Sequence, residues 1–110
     1  MQLDTFGTAT VSAAGIATVT IPIPRNERWT LRRYSVLTNQ SPTLTTIPIA
    51  TVYTNSISDG NALDSTFTGS RDSGDCDVTI EGGGSIIAQW TGGIAGTIAT
   101  LSIYGDKVIY

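Results

Sequence analysis

Two clusters of ionisable residues hold most of the chemistry open to this chain. The first is acidic. Five of the seven Asp residues, Asp59, Asp64, Asp72, Asp75 and Asp77, fall between positions 59 and 77. Oxygen-rich segments of this kind can hold Ca²⁺, which takes about six to eight oxygen ligands, and Asp72, Asp75 and Asp77 are the natural trio. Their spacing is not that of an EF-hand loop, which sets acids at alternate positions around a central Gly and ends on Glu. A solvated loop whose Asp side chains make turns and accept backbone N–H bonds would have the same composition. Paired carboxylates also serve glycoside hydrolysis, but a domain this small has little room for the deep cleft that reaction needs. Cys76 lies between Asp75 and Asp77. Neighbouring carboxylates disfavour the thiolate, the opposite of what a nucleophile needs.

The second cluster is basic. Arg25, Arg28, Arg32 and Arg33 are four of the six basic residues, with Trp29 and Tyr34 among them. Basic residues interleaved with aromatics can form a single-strand nucleic-acid surface. A net charge of −3 and a pI near 4.5 argue against that partner. Two readings of the strip remain. It is a docking strip for an acidic protein partner, or a strand edge protected by charge. Trp29 and Trp90 read as core anchors more readily than as ligand platforms, and Trp90 shares a phase with Ile86 and Ala88. The glycine runs at 82–84 and 92–93 lack the P-loop Lys and a following helix, so they read as turns.

Composition narrows the field further. The chain has 110 residues and no His. That removes the commonest general base, the commonest metal ligand and every Ser/His or Cys/His nucleophilic arrangement. One Cys allows neither an internal disulfide nor a cysteine zinc site. No catalytic residue, cofactor site or metal site is therefore assigned, and the chain is expected not to be an enzyme. Residues 1–6 have no basic region and no apolar core of a signal peptide. The uncharged stretch Thr5 to Pro24 is Thr-rich and broken by Gly and Pro, poor material for a membrane helix. Neither a membrane nor a nucleic acid is expected as a partner.

The elements that must position these residues are strands. Thirteen Ile, 6 Val and 18 Thr give a β-branched chain, and such residues suit a pleated surface. No apolar stripe with helical spacing is present, whereas period-2 alternation recurs at 17–23, 86–91 and 98–103. Turn signals separate the strands at the spacing of an all-β protein. The expected strands are Thr8–Ser12, Ile16–Ile23, Arg28–Thr38, Ile47–Thr54, Asp77–Glu81, Ser85–Thr91 and Thr97–Tyr104, with Lys107–Tyr110 as a short eighth. In Arg28–Thr38 the alternation switches phase between Leu31 and Tyr34, so a bulge is expected at Arg32-Arg33. Ser85–Thr91 and Thr97–Tyr104 read as a hairpin across the Gly-rich 92–96 segment. The fold class is a single antiparallel β-sandwich or jelly-roll-like barrel of seven to eight strands, one domain over 1–110. Residues 1–6 read as an N-terminal arm and 55–77 as a long polar loop. The likeness of Ile16–Ile21 to Ile98–Ile103 does not extend to a repeat period.

Charged residues are only 14% of the chain, while Thr and Ser number 18 and 10. A neutral, hydroxyl-rich exterior loses little side-chain entropy when a contact orders it. This points to a module built into an assembly. Three segments carry a resemblance in the same direction: Arg28–Val36; Ala50–Thr54 leading to Asp64–Ser70; and Ile87–Thr100 with its Trp90-Thr91-Gly92-Gly93 turn. In these the chain resembles small β-sandwich virion proteins of tailed bacteriophages, particularly of actinobacterial hosts. The resemblance implies a structural role in many copies and supplies no catalytic residues. The expected function is a capsid decoration (cementing) protein that binds the outside of a phage head and stabilises it. It would be made in the host cytoplasm, be located in the virion and form homo-oligomers. Its partners would be the major capsid protein or other virion proteins. Candidate partner contacts are Arg25, Arg28, Arg32, Arg33 and Phe6. A minor tail or baseplate protein is the alternative within that class. A carbohydrate-binding or host-attachment module, using exposed Trp or Tyr, is the alternative outside it.

Overall fold

In the computed structural model, which describes residues 1–39, 48–65 and 71–110, nearly every strand alternates buried with exposed side chains. The strands are β1 (Gln2–Thr10), β2 (Ala17–Pro22), β3 (Glu27–Thr38), β4 (Ile49–Thr54), β5 (Ala62–Ser65), β6 (Arg71–Glu81), β7 (Ser85–Thr91) and β8 (Ile98–Ile109). They form two antiparallel four-stranded sheets, β1-β8-β3-β6 and β2-β7-β4-β5. The fold is a β-sandwich. β2 shows the driving pattern: Ala17, Val19 and Ile21 are buried while Thr18, Thr20 and Pro22 are exposed. One face of each sheet is therefore apolar, and the two faces bury each other. Trp90, Val36, Val52, Leu101 and Ile103 lie at the centre with no exposure at all.

The expected bulge is present. The β3 register shifts between Leu31 and Arg33 against both β6 and β8. Trp29 and Leu31 point inward before it, and Tyr34 and Val36 point inward after it. The crossing leaves no room for a side chain on the neighbouring strand. A Cβ on Gly105 would collide with the Thr30 carbonyl oxygen, so β8 carries Gly where it passes the bulge.

Four expectations are corrected. Residues 1–6 are not an arm. Residues 2–6 are the first half of β1, and every β1 residue is paired with β8. The signal was weak because the inward positions hold Thr5, Gly7 and Ala9. The 55–77 segment is not one long loop. It contains a 3₁₀ turn at Asp59–Asn61, strand β5 and the first half of β6. Asp72 and Gly74 occupy inward phases of β6 and hid its alternation. β7 and β8 are not a hairpin, because they lie in different sheets and 92–96 crosses between the layers. Lys107–Tyr110 is not a separate strand either; β8 runs unbroken through Gly105-Asp106. Ile47, the expected start of β4, lies outside the described residues, as do 66–70 of the quoted polar segment.

Candidate functional site

The bulge in β3 decides what the outer face of the β1-β8-β3-β6 sheet presents. Without it, consecutive residues would face opposite sides; with it, Arg32 and Arg33 both face solvent. Arg28 and Thr30 precede them on that face, and Ser35 and Leu37 follow. β6 lies alongside and presents Ser73, Asp75, Asp77, Thr79 and Glu81 outward. The two charge clusters thus meet as neighbouring strands. Arg32 Nη1 donates to Asp77 Oδ1 at 2.7 Å, and its Nε lies 3.6 Å from Asp106 Oδ2. Arg33 Nη1 lies 3.6 Å from Asp75 Oδ1, and its Nη2 donates to Ser73 Oγ at 2.9 Å. Arg28 Nη1 lies 3.9 Å from Glu81 Oε1, and its guanidinium stands 5.9 Å from the centre of the Tyr110 ring. The Thr30 and Thr79 hydroxyls share a hydrogen bond at 3.1 Å.

These partners are well exposed, so each pair contributes little to stability, about 0–1 kcal/mol, and salt screens it. Their effect on the surface is larger. The arginines do not form an uncompensated basic strip; each guanidinium is matched by a carboxylate of the same face. Arg25 stands apart from them, in the turn closed by the Glu27 N–H donating to the Pro24 carbonyl. Phe6 does share the arginines' face. It is outward on β1, opposite Ser102, and 69% exposed. Across the sheet one row reads Asp4, Tyr104, Arg33, Asp75, and the next reads Phe6, Ser102, Ser35, Ser73. A shallow recess of about 670 Å³ is lined by Arg33, Ser35, Asp72, Ser73 and Tyr104. It offers a guanidinium, a carboxylate, hydroxyls and a phenol, groups that hydrogen-bond and pack against a surface. Tyr104 was not singled out from sequence, although it occupies an outward phase of the Ile98–Ile103 alternation.

Strand alternation also splits the acidic trio. Asp75 and Asp77 face outward and meet Arg33 and Arg32, while Asp72 has the opposite phase. Among the described residues no group of three His, Cys, Asp or Glu side chains could hold a metal ion. Cys76 is inward and half-buried. Burial first, then the Asp75 and Asp77 charges, push its thiol above the ordinary range. Trp29 and Trp90 are both core residues, 5% and 0% exposed. The Trp29 indole donates to Glu27 Oε1 at 3.2 Å, and Lys107 Nζ lies 3.5 Å from the same oxygen. Neither indole is a platform for a ligand.

Site and fold together define a small two-layer β-sandwich with one flat face of paired charges and hydroxyls. No family model and no curated protein matches the chain in sequence. In structure it is similar to a chain in the acidic stable capsid structure of Helicobacter pylori bacteriophage KHP30, with TM-score 0.58, 12% identity and 100% of both chains covered. It is also similar to PliG of Aeromonas hydrophila, a periplasmic inhibitor of g-type lysozyme (TM-score 0.46, 11% identity, 94% of this chain and 85% of that one). A family 35 carbohydrate-binding module from an environmental isolate gives TM-score 0.46 and 11% identity over 92% of this chain and 74% of that one. At these identities the likeness is one of fold.

Proposed function

We infer that the chain is a non-enzymatic structural protein of a phage virion and acts as a capsid decoration protein on the outer surface of the head. The observation that carries this reading is the end-to-end match to a chain of a phage capsid structure, which leaves no part of either chain over. The surface fits the role. Each arginine on the outer face is paired with a neighbouring carboxylate, and hydroxyls fill much of the rest, so docking orders few mobile side chains. Phe6, Tyr104, Arg28, Arg32 and Arg33 are the contacts this face offers to the major capsid protein or another virion protein. Arg25 would contribute only from the adjoining turn. The mechanism is linkage: a protein that binds the assembled shell but not its dissociated parts stabilises the shell by mass action. Many copies on one lattice gain further from effective concentration. The host proposed from the sequence resemblance is actinobacterial, with synthesis in its cytoplasm. Burial of both tryptophans removes the indole platforms from the carbohydrate-binding alternative and leaves it the exposed rings of Tyr104 and Tyr110.

The test is a tagged copy of the chain produced during infection. Gold label on the heads, together with a lower disruption temperature for heads lacking the protein, is the expected result. Label confined to tails would replace this reading with a tail or baseplate role. Absence from purified particles would overturn both.

A further inference from the structure

The four sheet edges are not protected alike. A free strand edge offers unpaired N–H and C=O groups to another chain, and soluble proteins blunt it with charge, proline or brevity. β6 carries Asp75, Asp77 and Glu81 along its exposed side. β2 is six residues long and ends on Pro22, and β5 has four residues. β1 has the weakest protection of the four. It is nine residues long, without Pro, Lys, Arg or a bulge, and Asp4 is its single charge. Among the described residues it pairs only with β8.

β1 is also complementary to itself. Its central residue is Phe6, the large apolar side chain that the sheet leaves 69% exposed. Antiparallel pairing of two β1 strands about a two-fold axis at Phe6 overlaps all nine residues. It sets Gln2 opposite Thr10 and Asp4 opposite Thr8 of the second copy, and Phe6 opposite Phe6. On the inner face Leu3 meets Ala9, and Thr5 meets Gly7. A shift that set Asp4 against Asp4 would face like charges and uncover the aromatic pair, and an odd shift would turn apolar faces to water. We propose that the unprotected edge of β1 pairs with β1 of a second copy of this chain, centred on Phe6. The two four-stranded sheets then become one continuous eight-stranded sheet, and each Phe6 is covered by its counterpart. The proposal does not depend on a virion role; in the pair, Phe6 serves the contact between copies and leaves Tyr104 and the arginines to any other partner.

Sedimentation of the purified chain over a wide concentration range should show a species of twice 11.5 kDa. Phe6→Lys sets two positive charges across the axis and should weaken that association at least tenfold. Position 6 is exposed, so at concentrations low enough for the parent to be monomeric the variant should melt at the parent temperature as a check on folding. Register is read by cross-linking in a Cys76→Ala background. Phe6→Cys should oxidise rapidly to a covalent dimer, because facing residues bring their Cβ atoms to about 4.5–5.5 Å. Asp4→Cys should not link to itself, since its counterpart lies about 13 Å away along the strands. Mixed Asp4→Cys and Thr8→Cys chains should link to each other. A monomer at every concentration, an association unchanged by Phe6→Lys, or a dimer that Phe6→Cys does not trap would overturn the proposal.

Discussion

Replacing Gly74 by Ala tests the placement of the whole acidic strand. Gly74 faces Tyr34 directly across β6 and β3. A Cβ there would lie 2.6 Å from Tyr34 Oη, 2.8 Å from Cζ and 2.9 Å from Cε1. Ordinary contacts between heavy atoms are about 3.5–4.0 Å, so the ring must retreat by roughly 1 Å. Tyr34 is 2% exposed and belongs to the core cluster, so that retreat disturbs packed neighbours. Overpacking of this kind costs about 1–3 kcal/mol. In a domain of about this size each kcal/mol lowers Tm by roughly 4–8 °C. The Gly74→Ala variant should therefore melt about 4–24 °C below the parent, with an unchanged urea m-value. The opposite sign is expected if residue 74 lies in a solvated loop. Gly74 is not among the glycines with positive φ, and Ala at a compatible loop position stabilises by about 0.4–1 kcal/mol through the unfolded chain. In a Tyr34→Phe background the closest atom is gone, and the same substitution should cost less, with a coupling of about 0.5 kcal/mol or more. Circular dichroism melts of the four variants are sufficient. A Gly74→Ala protein as stable as its parent would refute the β3–β6 register.

Three further outcomes are expected. Trp90→Ala, which empties a site with no exposure, should destabilise by about 3–5 kcal/mol in urea titrations, whereas a ligand-platform Trp would leave stability almost untouched. Arg32→Ala removes contacts to Asp77 and Asp106 that are largely exposed, and should cost no more than about 1 kcal/mol, shrinking as NaCl rises; a larger, salt-insensitive loss would show a buried network. Cys76 holds its proton more tightly folded than unfolded, so the unfolded chain ionises first as pH rises. Stability should be intact below the ordinary thiol range, fall above it, and fall less in Cys76→Ala. Iodoacetamide trapping should accordingly show a higher pH midpoint for the folded thiol than for the urea-unfolded one.

The length, the β-branched composition and the period-2 runs were enough to specify an all-β chain of antiparallel strands, because alternation is a local property of a half-buried strand; they left sandwich and barrel open, missed β5 and split the end of β8 into a strand of its own. The bulge at Arg32-Arg33 was also legible, since a phase switch between Leu31 and Tyr34 is written in consecutive residues. β1 and β6 were obscured where their inward phases hold small or polar residues: at Thr5 and Gly7, and at Asp72 and Gly74. Which strands lie beside each other was not legible at all. The 92–96 segment could close a hairpin or cross between layers with the same turn chemistry, and only packing of the two apolar faces selects the crossing. The candidate site divides in the same way. Arg32 and Arg33, Asp75 and Asp77 were each conspicuous in the chain, but hydrogen bonding of β3 to β6 is a long-range event, and it alone turns a basic strip and an acidic segment into one face of paired charges.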